Sequence, residues 1–209
     1  MIAFEETMRA GGAAAIAHIG EFFMGTDPVH ATLLSLTKKL EELGVDYAVA
    51  GALALGAHGH VRATVDVDIL VTRDGHRVLR ECLEGSGYVP PFAGSRNLRD
   101  AGTGVRIEFL LSGEFPGDGK PKPVSFPIPA DASLEIAGIR YLRLENLIEL
   151  KLASGMTNPN RLKDLADVQE LIKAVRPPRA LAERLNPFVR DKFLEFWEGV
   201  RSEPPEAEL

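Results

Sequence analysis

The chain has 209 residues, 45% of them hydrophobic and 26% charged, which suffices for one good core with room for a small helical appendage. A net charge of −6 argues against broad, non-specific binding of nucleic acid, while leaving room for a local basic cleft. Cys82 is the only cysteine, Glu5 and Glu6 stand where a secretory signal is basic, and no apolar run approaches the roughly 20 residues that span a membrane; the expectation is a cytoplasmic protein with no disulfide, no export and no membrane partner.

Residues 1–24 are alanine-rich, with Gly11-Gly12 in the middle. They read either as a broken helix packed on the core or on a partner, or as an extension upstream of the domain proper. Asp27-Pro28 predicts a helix start, an N-cap followed by proline at the first helical position. Leu33, Leu34, Leu36, Leu40 and Leu43 follow at near-helical spacing, and Gly44 stops the helix.

Residues 47–50 have the composition of a buried strand. Gly51 and Ala52 then allow a tight turn into a short helix over 53–58, whose first-turn N–H groups offer a seat for phosphate. The next strand runs from about Thr64 to Val71 and carries Asp66 and Asp68. Residues i and i+2 of a strand share a face, so both carboxylates point the same way. Like charges on an apolar strand are costly unless a cation neutralises them. Hard oxygen ligands of this kind suit Mg2+, which binds through one or two carboxylates together with substrate phosphates.

Thr72 or Asp74 caps a further helix with Val78, Leu79, Cys82 and Leu83, ended by Gly85-Ser86-Gly87. Tyr88 begins an edge strand that Pro90-Pro91 interrupts. Residues 105–111 form a clear strand, with Val105, Ile107 and Phe109 on one face and Arg106, Glu108 and Leu110 on the other. Residues 112–123 hold too much glycine and proline for regular structure. They read as a mobile flap whose Lys120 and Lys122 touch phosphates, or as a solvated loop with soluble lysines.

Short strands follow at 124–126 and 134–141, the latter bent at Ala137-Gly138. A helix over 144–153 contains Lys151 inside an apolar run, where it snorkels or pairs with Glu145 or Glu149. Asn158-Pro159 opens another helix, with Leu162, Leu165, Val168, Leu171 and Ile172 as its buried stripe. On that helix Arg161, Asp164 and Asp167 are i, i+3 neighbours, which by themselves would be solvated ion pairs. Residues 179–199 form a helical pair split at Asn186-Pro187, with Phe188, Phe193, Phe196 and Trp197 docking onto the core. The tail from Ser202 is expected to be disordered. No internal repeat is present.

Gly51-Ala52, a spacer and Asp66-Val67-Asp68-Ile69 together resemble the signature of the DNA polymerase β-like nucleotidyltransferase superfamily: Gly-Gly or Gly-Ser, then an acid-apolar-acid triplet. Arg62-Ala63-Thr64 is similar to the Arg-x-Thr-x-Asp-x-Asp run of the branch that holds the AbiEii-type toxins and uncharacterised bacterial relatives. The resemblance covers about residues 45–175, with one departure, Ala52 where the signature has Gly or Ser. It implies an α+β fold, a mixed twisted sheet flanked by helices, with a C-terminal helical segment. The implied organisation is an extension over 1–24, a catalytic core over 25–142, helices over 143–200 and a tail over 201–209.

The resemblance further implies a two-metal enzyme using Mg2+ or Mn2+ that moves a nucleoside monophosphate from a nucleoside triphosphate such as ATP to an acceptor hydroxyl. The acceptor is tRNA, a protein or a small molecule, and the AbiEii-like branch adds an antitoxin partner. Asp66, Asp68 and Glu108 are then the catalytic, metal-holding carboxylates, and Gly51, Ala52, Arg62, Thr64 and Lys151 the nucleotide-binding residues. Arg161, Asp164 and Asp167 match an Arg-x-x-Asp-x-x-Asp pattern of the same branch. The alternative is a catalytically silent module of this fold that binds a nucleotide or a partner, with Glu108 a solvated strand residue and Ala52 a sign of drift.

Overall fold

A computed structural model describes residues 4–10 and 12–202. The tail expected beyond Ser202 lies outside the described residues. Two helices come first, α1 (Phe4–Ala10) and α2 (Gly12–Met24), and Phe4 and Phe22 join the core. Both helices of this segment thus pack on the core. Helix α3 (Pro28–Glu42) starts as its sequence predicts: the Asp27 carboxylate accepts from Val29 N at 2.7 Å and from His30 N. Such a cap is worth about 1 kcal/mol.

β1 (Tyr47–Val49) runs into α4 (Gly51–Ala57), which begins at Gly51 itself, two residues earlier than expected. β2 (Asp66–Val71) opens on the first aspartate, because residues 60–65 make no ladder. Thr72 caps α5 (Arg73–Leu83), with Leu79 and Leu83 turned inward and Cys82 exposed. β3 (Tyr88–Val89) is an edge strand, and β4 (Leu98–Asp100), which has no signal in the sequence pattern, joins it to β5 (Arg106–Leu111).

After β5 the chain is irregular to α6 (Pro129–Ala132), and the strand expected at 124–126 does not form. Two backbone bonds hold Phe126 instead: its N–H donates to Glu114 O, and its carbonyl accepts from Gly113 N. β6 (Ser133–Ile136) and β7 (Ile139–Leu142) make a hairpin whose two turn residues, Ala137 and Gly138, have φ of 51° and 80°. That is the conformation of the primed turns that fit strand twist.

The helices α7 (Leu144–Thr157), α8 (Leu162–Val175), α9 (Leu181–Arg184) and α10 (Pro187–Ser202) complete the described residues. A 3-10 turn over Pro159–Arg161 precedes α8, so that helix starts later than expected and Leu162 is exposed, outside the buried stripe. Phe193 is buried against α7 and α8, while Trp197 packs at the margin and donates to Pro177 O.

The seven strands form one mixed sheet in the order β3-β4-β5-β2-β1-β7-β6. β2 is parallel to β5 and antiparallel to β1, and β1 is parallel to β7. One face packs on α3 and α5 through Val49, Val67, Ile69, Val71, Ile107 and Phe109. The other buries Ala48 and Leu70 beneath the C-terminal helices. Asp66 and Asp68 share the face of Leu70, so they look toward those helices. None of the helices among the described residues is long and apolar enough to cross a membrane.

Candidate active site

The β2/β5 register sets Asp68 beside Glu108 and Asp66 beside Arg106. Parallel strands lie about 4.8 Å apart, and alternate residues face the same way, so three carboxylates converge without any loop contributing. One oxygen from each of Asp66, Asp68 and Glu108 lies within 4.8 Å of the other two. This is the donor set a hard divalent cation takes, and the electrostatics agree. Burial, followed by the charges of Asp66 and Glu108, pushes the Asp68 carboxyl up to about 7. Burial and the two neighbouring acids thus both disfavour the ionised form of Asp68.

Two further contacts shape the cluster. Thr64 donates its hydroxyl to Asp66 Oδ1 at 2.6 Å. Arg106 reaches Asp66 Oδ2 at 3.4 Å and is paired with Glu108 as well, which puts a guanidinium beside the carboxylates. Sequence reasoning placed Arg106 on the face of Glu108 and gave it no role; strand alternation alone held the signal.

Gly51 is the closest neighbour from the β1–α4 turn. Its φ is 61°, and a Cβ there would overlap the Asp68 carboxylate, so both backbone and space require glycine. Ala50 N donates to Asp68 O at 2.9 Å, which fixes the turn against β2. The start of α4 and the acidic cluster are thus a single local structure.

A cavity of about 290 Å³ opens over the cluster, and all eight residues singled out from the sequence line it: Gly51, Ala52, Arg62, Thr64, Asp66, Asp68, Glu108 and Lys151. Leu110, Phe126, Leu142, Leu147 and Leu150 supply apolar wall, and Arg161 and Lys163 stand on the rim. Five cationic and four anionic side chains line this cavity, and Asp167, paired with Arg62 and Lys151, brings the acids to five, so in a chain of net charge −6 the site is close to charge balance.

Lys151 pairs with neither Glu145 nor Glu149. Its ammonium donates to Asp164 Oδ1 at 3.0 Å and to Asp167 Oδ2 at 2.6 Å. Asp167 also accepts from Arg62, through Nε at 2.7 Å and Nη2 at 2.9 Å, and Ser154 donates to Asp164. Burial acts to raise the Asp167 pKa, but the Arg62 hydrogen bonds and the Lys151 charge outweigh it and hold the carboxyl below its ordinary value. The acids of α8 are therefore part of a buried network and not solvated pairs.

Lys120 and Lys122 do not line the cavity. Lys122 is turned inward, paired with Asp118 and donating to Thr157 Oγ1 at 3.1 Å. Asn158 donates to Gly117 O and Asn186 to Pro123 O, so the irregular segment after β5 is fastened to the helices along its length. Pro116 and Gly117 form part of the cavity wall, in a segment the sequence left open as a mobile flap or a solvated loop.

No family model matches the chain, and no curated protein matches it. Among solved structures it is similar to a solution structure of the antibiotic-resistance factor ANT(2'')-Ia, at 14% identity, with 82% of this chain and 97% of that chain covered and a TM-score of 0.52. A crystal structure of ANT(2'')-Ia in complex with adenylyl-2''-tobramycin gives 14% identity, 78% and 91% coverage and a TM-score of 0.46. An antigenic nucleotidyltransferase-like protein from Paracoccidioides brasiliensis gives 18%, 83%, 92% and 0.49. At such identities the likeness is one of fold: the chain has the α+β architecture of nucleotidyltransferases, a mixed sheet flanked by helices.

Proposed function

We propose that the protein is a metal-dependent nucleotidyltransferase, moving a nucleoside monophosphate from a nucleoside triphosphate to an acceptor hydroxyl. The observation that carries this reading is the β2/β5 register, which brings Asp66, Asp68 and Glu108 to within 4.8 Å of one another beside the Gly51 turn. Asp66, Asp68 and Glu108 would hold Mg2+ or Mn2+, with Mg2+ preferred for an all-oxygen donor set that shares phosphate ligands. When bound, such a cation neutralises charge on the phosphate oxygens and lowers the pKa of the attacking hydroxyl.

The residues of the chain then have separable tasks. The acceptor oxygen bonds to the α-phosphorus as the bond to the bridging oxygen of the leaving pyrophosphate breaks, and the hydroxyl proton passes to a carboxylate, for which Glu108 at the cavity side is our assignment. The first turn of α4, at Gly51 and Ala52, is assigned to the triphosphate, without the hydroxyl a serine at position 52 would add. Arg62, Thr64 and Lys151 line the same cavity, with Arg62 and Lys151 contributing charge from within their ion pairs. Phosphoryl-type transfer depends on positioning and charge neutralisation more than on covalent help from the protein, and the cationic side chains that line the cavity suit that task.

The acceptor is tRNA, a protein or a small molecule, and the cavity favours none of these by its lining. Kinship with the AbiEii-like branch, and an antitoxin partner with it, rests on the Arg62-Ala63-Thr64 run and the Lys151, Arg161, Asp164 and Asp167 spacing. The test is incubation of the purified protein with each α-labelled nucleoside triphosphate, Mg2+ and total cell extract, followed by separation of RNA, protein and small molecules. Label entering one fraction, and lost with Asp66→Asn, supports transfer. No labelled product, and no shift in melting temperature on adding Mg2+ and nucleotide that a chelator reverses, would reject it.

A further inference from the structure

We infer that Asp167, on the buried side of α8, is a positioning residue for the Asp66 carboxylate and acts on it through Arg62 and Thr64. This rests on Asp66 being a metal ligand. The connection from α4 to β2 has no ladder over residues 60–65 to set the direction of its side chains. It is fastened from outside, by the two-pronged bond of Arg62 to both oxygens of Asp167 at 2.7 and 2.9 Å. A guanidinium held by two parallel bonds is fixed in plane as well as in place. Asp167 is itself 3% exposed and held by Lys151, so it is a rigid anchor.

Two residues after Arg62, the Thr64 hydroxyl donates to Asp66 Oδ1 at 2.6 Å. Two side-chain contacts, joined through the backbone of Ala63, therefore link α8, in the helical layer, to a carboxylate on the sheet. A ligating carboxylate is oriented by the hydrogen bond it accepts, and losing such support typically weakens metal binding by roughly 10–100-fold. The ion pair is thus more than a staple between layers: it sets the angle at which Asp66 meets a cation.

Isothermal titration of the full chain with Mn2+ alone tests this in Asp167→Asn, Thr64→Val, the double variant and Val168→Ala. Each of the first two should weaken Mn2+ binding about tenfold. The double variant should be no weaker than either, since both changes interrupt one path. Val168→Ala loosens the same helix from its apolar side, where Val168 is fully buried, and should lower the melting temperature with Mn2+ affinity unchanged. If Asp167→Asn does not fold, Arg62→Gln breaks the same link from its partly exposed end.

Additive losses, or a loss in Asp167→Asn with none in Thr64→Val, would overturn the inference and leave only a through-space charge effect. Mn2+ binding that no variant changes would also overturn it. Wild-type protein that takes up no Mn2+ is a different result, since it removes the metal site itself and the inference with it.

Discussion

Arg106 faces Asp66 directly across the β2/β5 ladder, its guanidinium 3.4 Å from the carboxylate and paired as well with Glu108 two residues on. A cation carried by the protein thus stands where an incoming metal ion would be drawn. Arg106→Gln should therefore tighten Mn2+ binding, by about tenfold, which corresponds to ~1.4 kcal/mol. The metal-free protein should melt lower in the same variant. Titration calorimetry and thermal melting report the two effects, and weaker binding in Arg106→Gln would show that the guanidinium supports the metal site instead of competing with it.

Asp66→Asn and Asp68→Asn should each abolish transfer and leave the fold intact. For Asp68 the metal-free protein should become more stable, because a crowded, half-buried carboxylate no longer has to ionise beside two others. About 1 kcal/mol of relief would raise the melting temperature by roughly 2–4 °C in a chain of this size. Unchanged metal-dependent transfer in either variant would sink the assignment of the carboxylates.

The pH dependence follows from the same group. The Asp68 carboxyl is raised from 3.8 to about 7, so the folded, metal-free protein binds its proton more tightly than the unfolded chain does. Stability from this source is full below the unfolded value and is lost as pH rises toward and through about 7. Metal must displace that proton, so Mn2+ affinity should climb with pH up to about 7 and level off above it. Melting curves with chelator and titrations with Mn2+, from acid to mildly alkaline pH, should show these opposite trends; affinity independent of pH below neutrality would contradict the assignment.

Gly51→Val should cost stability twice, through a left-handed backbone that disfavours a side chain by about 1–2 kcal/mol and through overlap with the Asp68 carboxylate. The measurable outcome is a lower melting temperature together with lost Mn2+ and nucleotide binding. Ala52→Ser should be tolerated, and tighter nucleotide binding is expected if the first turn of α4 meets phosphate. Equal nucleotide affinity in wild type and Gly51→Val would move the phosphate site elsewhere.

What could be read in advance was whatever depends on local periodicity. Asp66, Asp68 and Glu108 fall on one face because strands alternate, and the cap at Asp27 is written in adjacent residues; at Ala137-Gly138 the expected bend within one strand is a hairpin turn between two, made by two positive φ values. Partners distant in sequence were not legible. Lys151 had two glutamates on its own helix, Glu145 and Glu149, yet its charge goes to acids 13 and 16 residues away, on the next helix. Leu162 fits an apolar stripe by spacing, but the 3-10 turn before it rotates it into solvent. Strand β4 lacks apolar alternation of its own and exists because β5 offers an edge with which Leu98 and Arg99 pair.

The fastening of the segment between β5 and α6 bears on the tempo of turnover. Lys122 reaches Thr157, Asn158 holds Gly117, and Asn186 holds Pro123, while added bulk at Gly117 would strike α7. Enzymes that close a loop over their substrates commonly wait on its reopening, which makes their rates sensitive to solvent friction and to glycine hinges. On the proposed function, substrate and product would pass in and out of this cavity without a hinged lid, past the exposed Arg161 and Lys163 that line it. Selectivity would then rest with the walls as built, and slow cycles would belong to chemistry or to release of pyrophosphate.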